Sequence, residues 1–89
     1  MKAVITVLGK DTVGILAKVS AVCADNDVNV IEVTQSVMQD MFAMIMLVDI
    51  KSSKLPFNEL SNKFDIAGNE MGVKIHVMHE DIFNSMHKI

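Results

Sequence analysis

Seven consecutive residues, Gly9-Lys10-Asp11-Thr12-Val13-Gly14-Ile15, hold most of the chemistry this chain can offer. They join a short β-branched run to a helical pattern, so they form a helix entrance where backbone N–H groups lack intrahelical acceptors. Such an entrance, with the helix dipole behind it, favours an anionic group such as a carboxylate. Gly14 in the first turn costs about 1 kcal/mol of helix propensity against Ala. Its missing side chain lets a ligand or another backbone approach closely. The same residues also fit a structural part, with Asp11 or Thr12 as N-cap and Gly14 packed tightly. Spacing alone fits both.

Other reactive side chains are placed less favourably. His76 and His79 lie three apart on a strand pattern, so they point to opposite faces and make poor joint metal ligands. Met38, Met41, Met44 and Met46 are soft ligands of the kind copper(I) prefers, but copper carriers of similar topology use a Cys pair in the first loop, which has no Cys here. Flexible Met filling a core or interface is the better account. Cys23 falls on an apolar helical stripe and reads as a small core residue. No nucleophile has a base at useful spacing, and the GxxxxGK[ST] frame of a P-loop is absent. The expectation is a binding protein, with no catalytic residues, no cofactor and no metal.

Composition narrows the partners. The 89 residues carry a formal charge of −3, and all eight basic residues are Lys. Without Arg, phosphate and guanine recognition lose their main donor, which argues against nucleic acid and against an acylphosphatase-like site. An RNA-recognition sheet would need stacked aromatics, and the first strand has none. There is no polybasic membrane patch and no apolar run near the ~20 residues of a spanning helix. One unpaired cysteine and no signal-like leader predict a cytoplasmic protein.

The elements that must position the first segment follow from periodicity. Lys2–Leu8 reads as a strand ended by Gly9, and residues 13–26 as a helix with Ile15, Leu16, Val19, Val22 and Cys23 on one face. Residues 29–38 alternate, with Ile31, Val33 and Val37 on one side and Glu32, Thr34 and Ser36 on the other, as an edge strand does. Gln39-Asp40 is a hairpin turn lacking the favoured Gly. Residues 41–50 are apolar on both sides. Pro56 opens a second helix with Phe57, Leu60, Phe64, Ala67 and Met71 inward, and Gly72 closes it. Residues 73–79 form a last strand, and Asp81 caps a short helix with Ile82, Phe83 and Met86 as its apolar residues.

The order β-α-β-β-α-β specifies an α+β, ferredoxin-like sandwich, a four-stranded antiparallel sheet with two helices on one face. Strands one and three, apolar on both sides, belong in the centre. The uncovered face would then expose Met and Ile, and an apolar patch of that kind marks an interaction site. The C-terminal tail around Phe83, a second subunit, or both would cover it.

Gly9-x-Asp11-x-x-Gly14-Ile15-Leu16 after a strand, with Val28-Asn29-Val30-Ile31 opening the next, resembles the ACT domain family. The likeness spans about residues 2–79 and is to small free-standing members similar to half of the glycine cleavage system transcriptional repressor. It implies a domain over 1–79 with a helical tail over 80–89, and a regulatory module that binds a small molecule, commonly an amino acid, between paired domains. It further implies that Asp11, Thr12, Val13, Gly14 and Ile15 line the ligand on one side and Asn29, Val30 and Ile31 on the other, often across a homodimer interface. In that role the helix entrance would hold the carboxylate, with Asp11 or Asn29 on the ammonium. The alternative is an interaction domain that modulates a larger protein partner without a small ligand.

Overall fold

A computed structural model describes residues 1–10 and 13–86 of the chain. The elements run β1 (Lys2–Lys10), α1 (Ile15–Asp25), β2 (Asn29–Met38), β3 (Met41–Asp49), α2 (Phe57–Met71), β4 (Lys74–His79) and α3 (Glu80–Met86). The strands pair antiparallel in the order β2-β3-β1-β4. This is the ferredoxin-like βαββαβ arrangement, with β1 and β3 central and a short C-terminal helix added.

Alternation along the central strands decides what is buried. Ala3, Ile5 and Val7 of β1 and Phe42, Met44, Met46 and Val48 of β3 meet Ile15, Val19 and Cys23 of α1 and Leu60 and Phe64 of α2 in one core. No polar or charged side chain among the described residues is buried with them. The methionine set is therefore split. Met44 and Met46 fill the core, whereas Met38 and Met41 lie exposed at the hairpin end on the other face.

Both long helices end in the same way. At α2, the Val73 N–H donates to the Gly68 carbonyl (2.9 Å) and the Gly72 N–H to that of Asn69 (3.4 Å), with Gly72 at φ +75°. At α1, the Val28 N–H donates to Cys23 (2.8 Å) and the Asp27 N–H to Ala24 (3.3 Å), but the left-handed residue is Asp27, at φ +57°. This pattern of paired bonds around a left-handed residue favours Gly. Asp27→Gly should therefore raise stability by about 0.5–1 kcal/mol, net of the greater chain entropy of Gly. The lost ion pair to Lys54 (4.0 Å, exposed) contributes little. An unchanged urea midpoint would show that the Asp conformation costs nothing.

The start of α1 differs from expectation. The helix begins at Ile15, its N-cap is Gly14 at φ +87° and ψ 9°, and among the described residues no side chain makes a capping bond. Asp11 and Thr12, the expected caps, lie outside the described residues. Gly14 does not pack tightly either, since a Cβ there would meet no described atom within 4 Å. Its left-handed backbone, which L side chains resist, is what demands Gly. Gly9 has the opposite reason. It lies inside β1 rather than ending it, and a Cβ there would come within 2.7 Å of Val73 Cγ1.

Cys23 is buried within α1, and desolvation pushes its thiol up to about 11. The thiolate is the reactive form. Iodoacetamide at pH 8 should therefore leave the native protein unlabelled for as long as the fold persists and label it promptly in denaturant. Labelling at a free thiol's rate without denaturant would mean that α1 detaches readily.

Candidate functional site

The entrance to α1 is a helix N-terminus with glycine at its N-cap. The first backbone bond inside it runs from the Lys18 N–H to the Gly14 carbonyl at 3.0 Å. The N–H groups of the preceding turn have no intrahelical acceptor. Gly14 at the N-cap has no side chain to cap them, and the first turn carries no acidic residue. Val13 and Gly14 are exposed, whereas the Ile15 side chain is in the core, so Ile15 offers only its backbone N–H. An external carboxylate suits such a place on both hydrogen-bonding and dipole grounds.

Asn29, Val30 and Ile31 are not beside it. Gly9, leading into the α1 entrance, pairs with Phe42, which pairs with Val37 of β2. Asn29 pairs with Asp49, which pairs with Lys2 at the far end of β1. The two groups are thus seven register positions apart, about 23 Å at the rise of a strand. Within one chain the sheet brings Val13, Gly14 and Ile15 together at one end, and Asn29, Val30 and Ile31 together at the other. Asp11 and Thr12 lie outside the described residues.

The Asn29 end has its own irregularity. The β2·β3 register shifts between Val30 and Glu32, so Ile31 is an extra residue in the ladder. Such a bulge changes which side the following residues face. Val30 opposes Val48 and Val33 opposes Met46, both on the helix side, and the phase carried by Ile31, Val33 and Val37 is broken. Beside Asn29, Asp49 Oδ1 accepts the Lys51 N–H at 2.9 Å and lies 3.6 Å from the N-terminal amine. That backbone hydrogen bond, helped by the amine, lowers the Asp49 carboxyl below its ordinary value. Its stabilisation is present above the normal carboxylate range and is lost as pH falls through the lowered value.

The two sheet edges are unequal. β4 spans six residues, carries Lys74 and packs against α2 and α3. β2 is a ten-residue edge with no Lys and no Pro and a single charge, Glu32. Its helix-side Val33 and Val37 stay 40% and 51% exposed, and Leu16 of α1, expected in the core, is 37% exposed. α2 packs against β4, and α1, although it touches β2, leaves these side chains partly open. Proteins usually guard such an edge with charge, Pro or a covering element. Sequence periodicity missed Leu16, Val33 and Val37 as surface residues because a partly covered edge strand looks the same as a buried one.

The face opposite the helices is covered in part. Val4 is buried there, next to α3, and Glu80, Phe83 and Asn84 line a cavity with Val4, Ile45 and Leu47. Beyond α3, an open trough of about 460 Å3 is lined by Leu8, Ala43, Ile45, Lys74 and His76. His76 and His79 do fall on opposite faces. The His79 ring stacks on Phe57 with centroids 4.2 Å apart. Among the described residues no group of three or more His, Cys, Asp or Glu is placed to hold a metal ion. No described helix is long and apolar enough to cross a membrane.

Comparison with known proteins agrees with this architecture. The family model described as "ACT domain" matches residues 2–78. A UPF0237 protein of Methanocaldococcus jannaschii is 46% identical over 88 residues, 99% of this chain and 98% of its own length. The structure of an ACT domain protein from Streptococcus pneumoniae superposes with a TM-score of 0.82 at 38% identity, covering 98% of both chains. A structure assigned to a glycine cleavage system transcriptional repressor shares the fold, with a TM-score of 0.72 at 20% identity over 85% of this chain and 43% of that one. With a family model spanning nearly its whole length and relatives of the same size, this chain belongs to the ACT domain family, whose members are generally regulatory domains that bind small molecules.

Proposed function

We propose that the chain is a regulatory module that binds an amino acid between two copies of itself, in the cytoplasm, and catalyses nothing. One observation carries this reading: the α1 entrance and the Asn29 end stand about 23 Å apart in one chain, on a sheet whose β2 edge is unguarded. Antiparallel pairing of β2 with the β2 of a second copy reverses the ends. Centred on Thr34, and with the extra residue Ile31 taken up by the bulge, it sets the second copy's Asn29 opposite Met38, level with the Gly9 end of the first. Asn29, Val30 and Ile31 of one copy then face Val13, Gly14 and Ile15 of the other, with Asp11 and Thr12 in the intervening segment. The same pairing buries Val33, Val37 and Leu16. The ligand carboxylate goes to the α1 N–H groups, and Asn29 or Asp11 takes the ammonium.

A thermal-shift panel of the common amino acids tests this. A ligand at 100 times its Kd adds about 2.7 kcal/mol of stability, a shift of several degrees for a domain of this size. At least one amino acid should produce it. Silence across the panel would overturn amino-acid binding and favour the other reading, a domain that modulates a larger protein without a small ligand, for which the exposed sheet face is the supporting feature.

A further inference from the structure

The trough on the open sheet face is built from two rows of side chains, and strand register sets them out. Ala43 pairs with Leu8, which pairs with Lys74; one row on, Ile45 pairs with Thr6, which pairs with His76. Ala43 has the smallest side chain of the six. It stands on β3 between Met41 and Ile45 of the same face, so the floor dips at Ala43. Leu8 and Ile45 beside the dip are 52% and 44% exposed. Toward Val4 the trough is closed by α3, where Ile45 also lines the cavity under Phe83. Its volume of about 460 Å3 falls within the range of small-molecule sites, roughly 300–1,000 Å3. Along the strands it runs only two rows, about 7 Å, too short to seat a partner's helix about 10 Å across.

Its lining changes character from one side to the other. Lys74 and His76 form the wall on β4, the edge strand, with the Thr6 hydroxyl next to them. On the β3 side Ala43 and Ile45 are wholly apolar. No acidic residue lines the trough, and Lys10 follows Leu8 on the same face of β1. The carboxylates of this face, Glu32 and Glu80, stand at the α3 end instead. Among the described residues neither Lys74 nor His76 makes an ion pair. A hollow with one cationic wall and an apolar floor is complementary to an anion with an apolar body.

We infer that the trough binds a linear aliphatic carboxylate, lying across the strands with its chain on Leu8, Ala43 and Ile45. The carboxylate meets the Lys74 ammonium at the β4 wall, where the Thr6 hydroxyl and a His76 N–H supply further donors. Two strand spacings, about 10 Å, separate β4 from β3, which suits a chain of roughly eight carbons. No Phe lines the floor, so nothing there favours an aromatic ligand over a flexible chain. The site is separate from the α1 entrance, which lies on the helix side of the sheet.

Isothermal titration calorimetry of the full chain with hexanoate, octanoate, decanoate and dodecanoate tests the site. Half-covered methylenes each strengthen binding about twofold, so octanoate should bind about fourfold more tightly than hexanoate. Beyond decanoate the gain should stop, because the chain has passed Ile45. Octylamine, with the same chain and the opposite charge, should bind roughly tenfold more weakly than octanoate. Lys74→Gln, at an exposed position, should weaken octanoate about fivefold. Ala43→Ile fills the dip and should abolish binding, with circular dichroism confirming that the sheet is kept. Gly14→Val should bind octanoate as the unmodified protein does. No heat with any carboxylate, or equal affinity for octylamine, would overturn the site. So would an affinity that keeps rising through dodecanoate, the mark of unbounded apolar adsorption. Loss of octanoate in Gly14→Val would move the carboxylate to the α1 entrance and overturn it as well.

Discussion

A mixture of two inactive variants should recover amino-acid binding that neither has alone. Gly14→Val forces a β-branched residue into a left-handed backbone at φ +87°, which costs about 1–2 kcal/mol and distorts the α1 entrance. Asn29→Ala removes a side-chain amide from the opposite end of the sheet, on an exposed position. Each variant dimer has the same defect in both of its sites, so neither should show a thermal shift with the amino acid that stabilises the unmodified protein. Unfolded together and refolded in equal amounts, the chains form hybrids in half of the dimers. Each hybrid has one site with both defects and one with neither, so about a quarter of the normal binding capacity returns.

The strength of this test lies in the geometry rather than in either substitution. If Val13, Gly14 and Ile15 bound the ligand together with Asn29 of their own chain, every site in the mixture would retain a defect, and nothing would return. The register places those residues about 23 Å apart, farther than a free amino acid reaches. Zero recovery from two inactive variants would overturn a site shared between copies, and normal binding by Asn29→Ala alone would confine the site to the α1 end of the sheet. Asn29, Val30 and Ile31 would then be ordinary edge residues.

Much of this fold was legible because several independent signals in the sequence agree. β1 and β3 are apolar on both sides, which only central strands tolerate, and they are the central strands. Gly72 sits at the left-handed position that closes α2, and Pro56 is its N-cap, one residue ahead of the first helical position expected for it. What could not be read depends on contacts between distant segments. Gly9 looks like a strand terminator, yet it is needed because Val73 occupies the space of its Cβ. Leu16 has core spacing, but its neighbours leave it 37% exposed. The bulge at Val30/Glu32 leaves no mark in an alternating pattern, since an inserted apolar residue only appears to extend it. For the candidate site, residue types pointed to the α1 entrance and the family resemblance to the Asn29 end, while the distance between them emerged only from strand register. The tail's use as a partial cover for the open face follows from Val4, whose burial needs α3.

Gly68 sets two well-founded expectations against each other, and their magnitudes decide which prevails. Gly in a helix interior costs about 1 kcal/mol against Ala, so propensity alone predicts that Gly68→Ala stabilises α2. Packing predicts the reverse. A Cβ on Gly68 would lie 2.8 Å from the Val73 carbonyl oxygen and 3.1 Å from Ile75 Cγ1. The first of these is backbone and cannot turn aside, and the same Gly68 carbonyl accepts the Val73 N–H that closes the helix. Relief requires α2 to move away from β4, and that movement loosens Leu60 and Phe64 along the same face. Overpacking of a tight core costs about 1–3 kcal/mol, and the loss of the closing bond adds to it. The net expectation is destabilisation of about 2 kcal/mol, a fall in Tm on the order of 10 °C. Asn62→Ala, on the exposed side of the same helix, should shift stability by less than about 0.5 kcal/mol. A Gly68→Ala protein that melts higher than the unmodified chain would mean that α2 and β4 stand farther apart than the 2.8 Å approach requires.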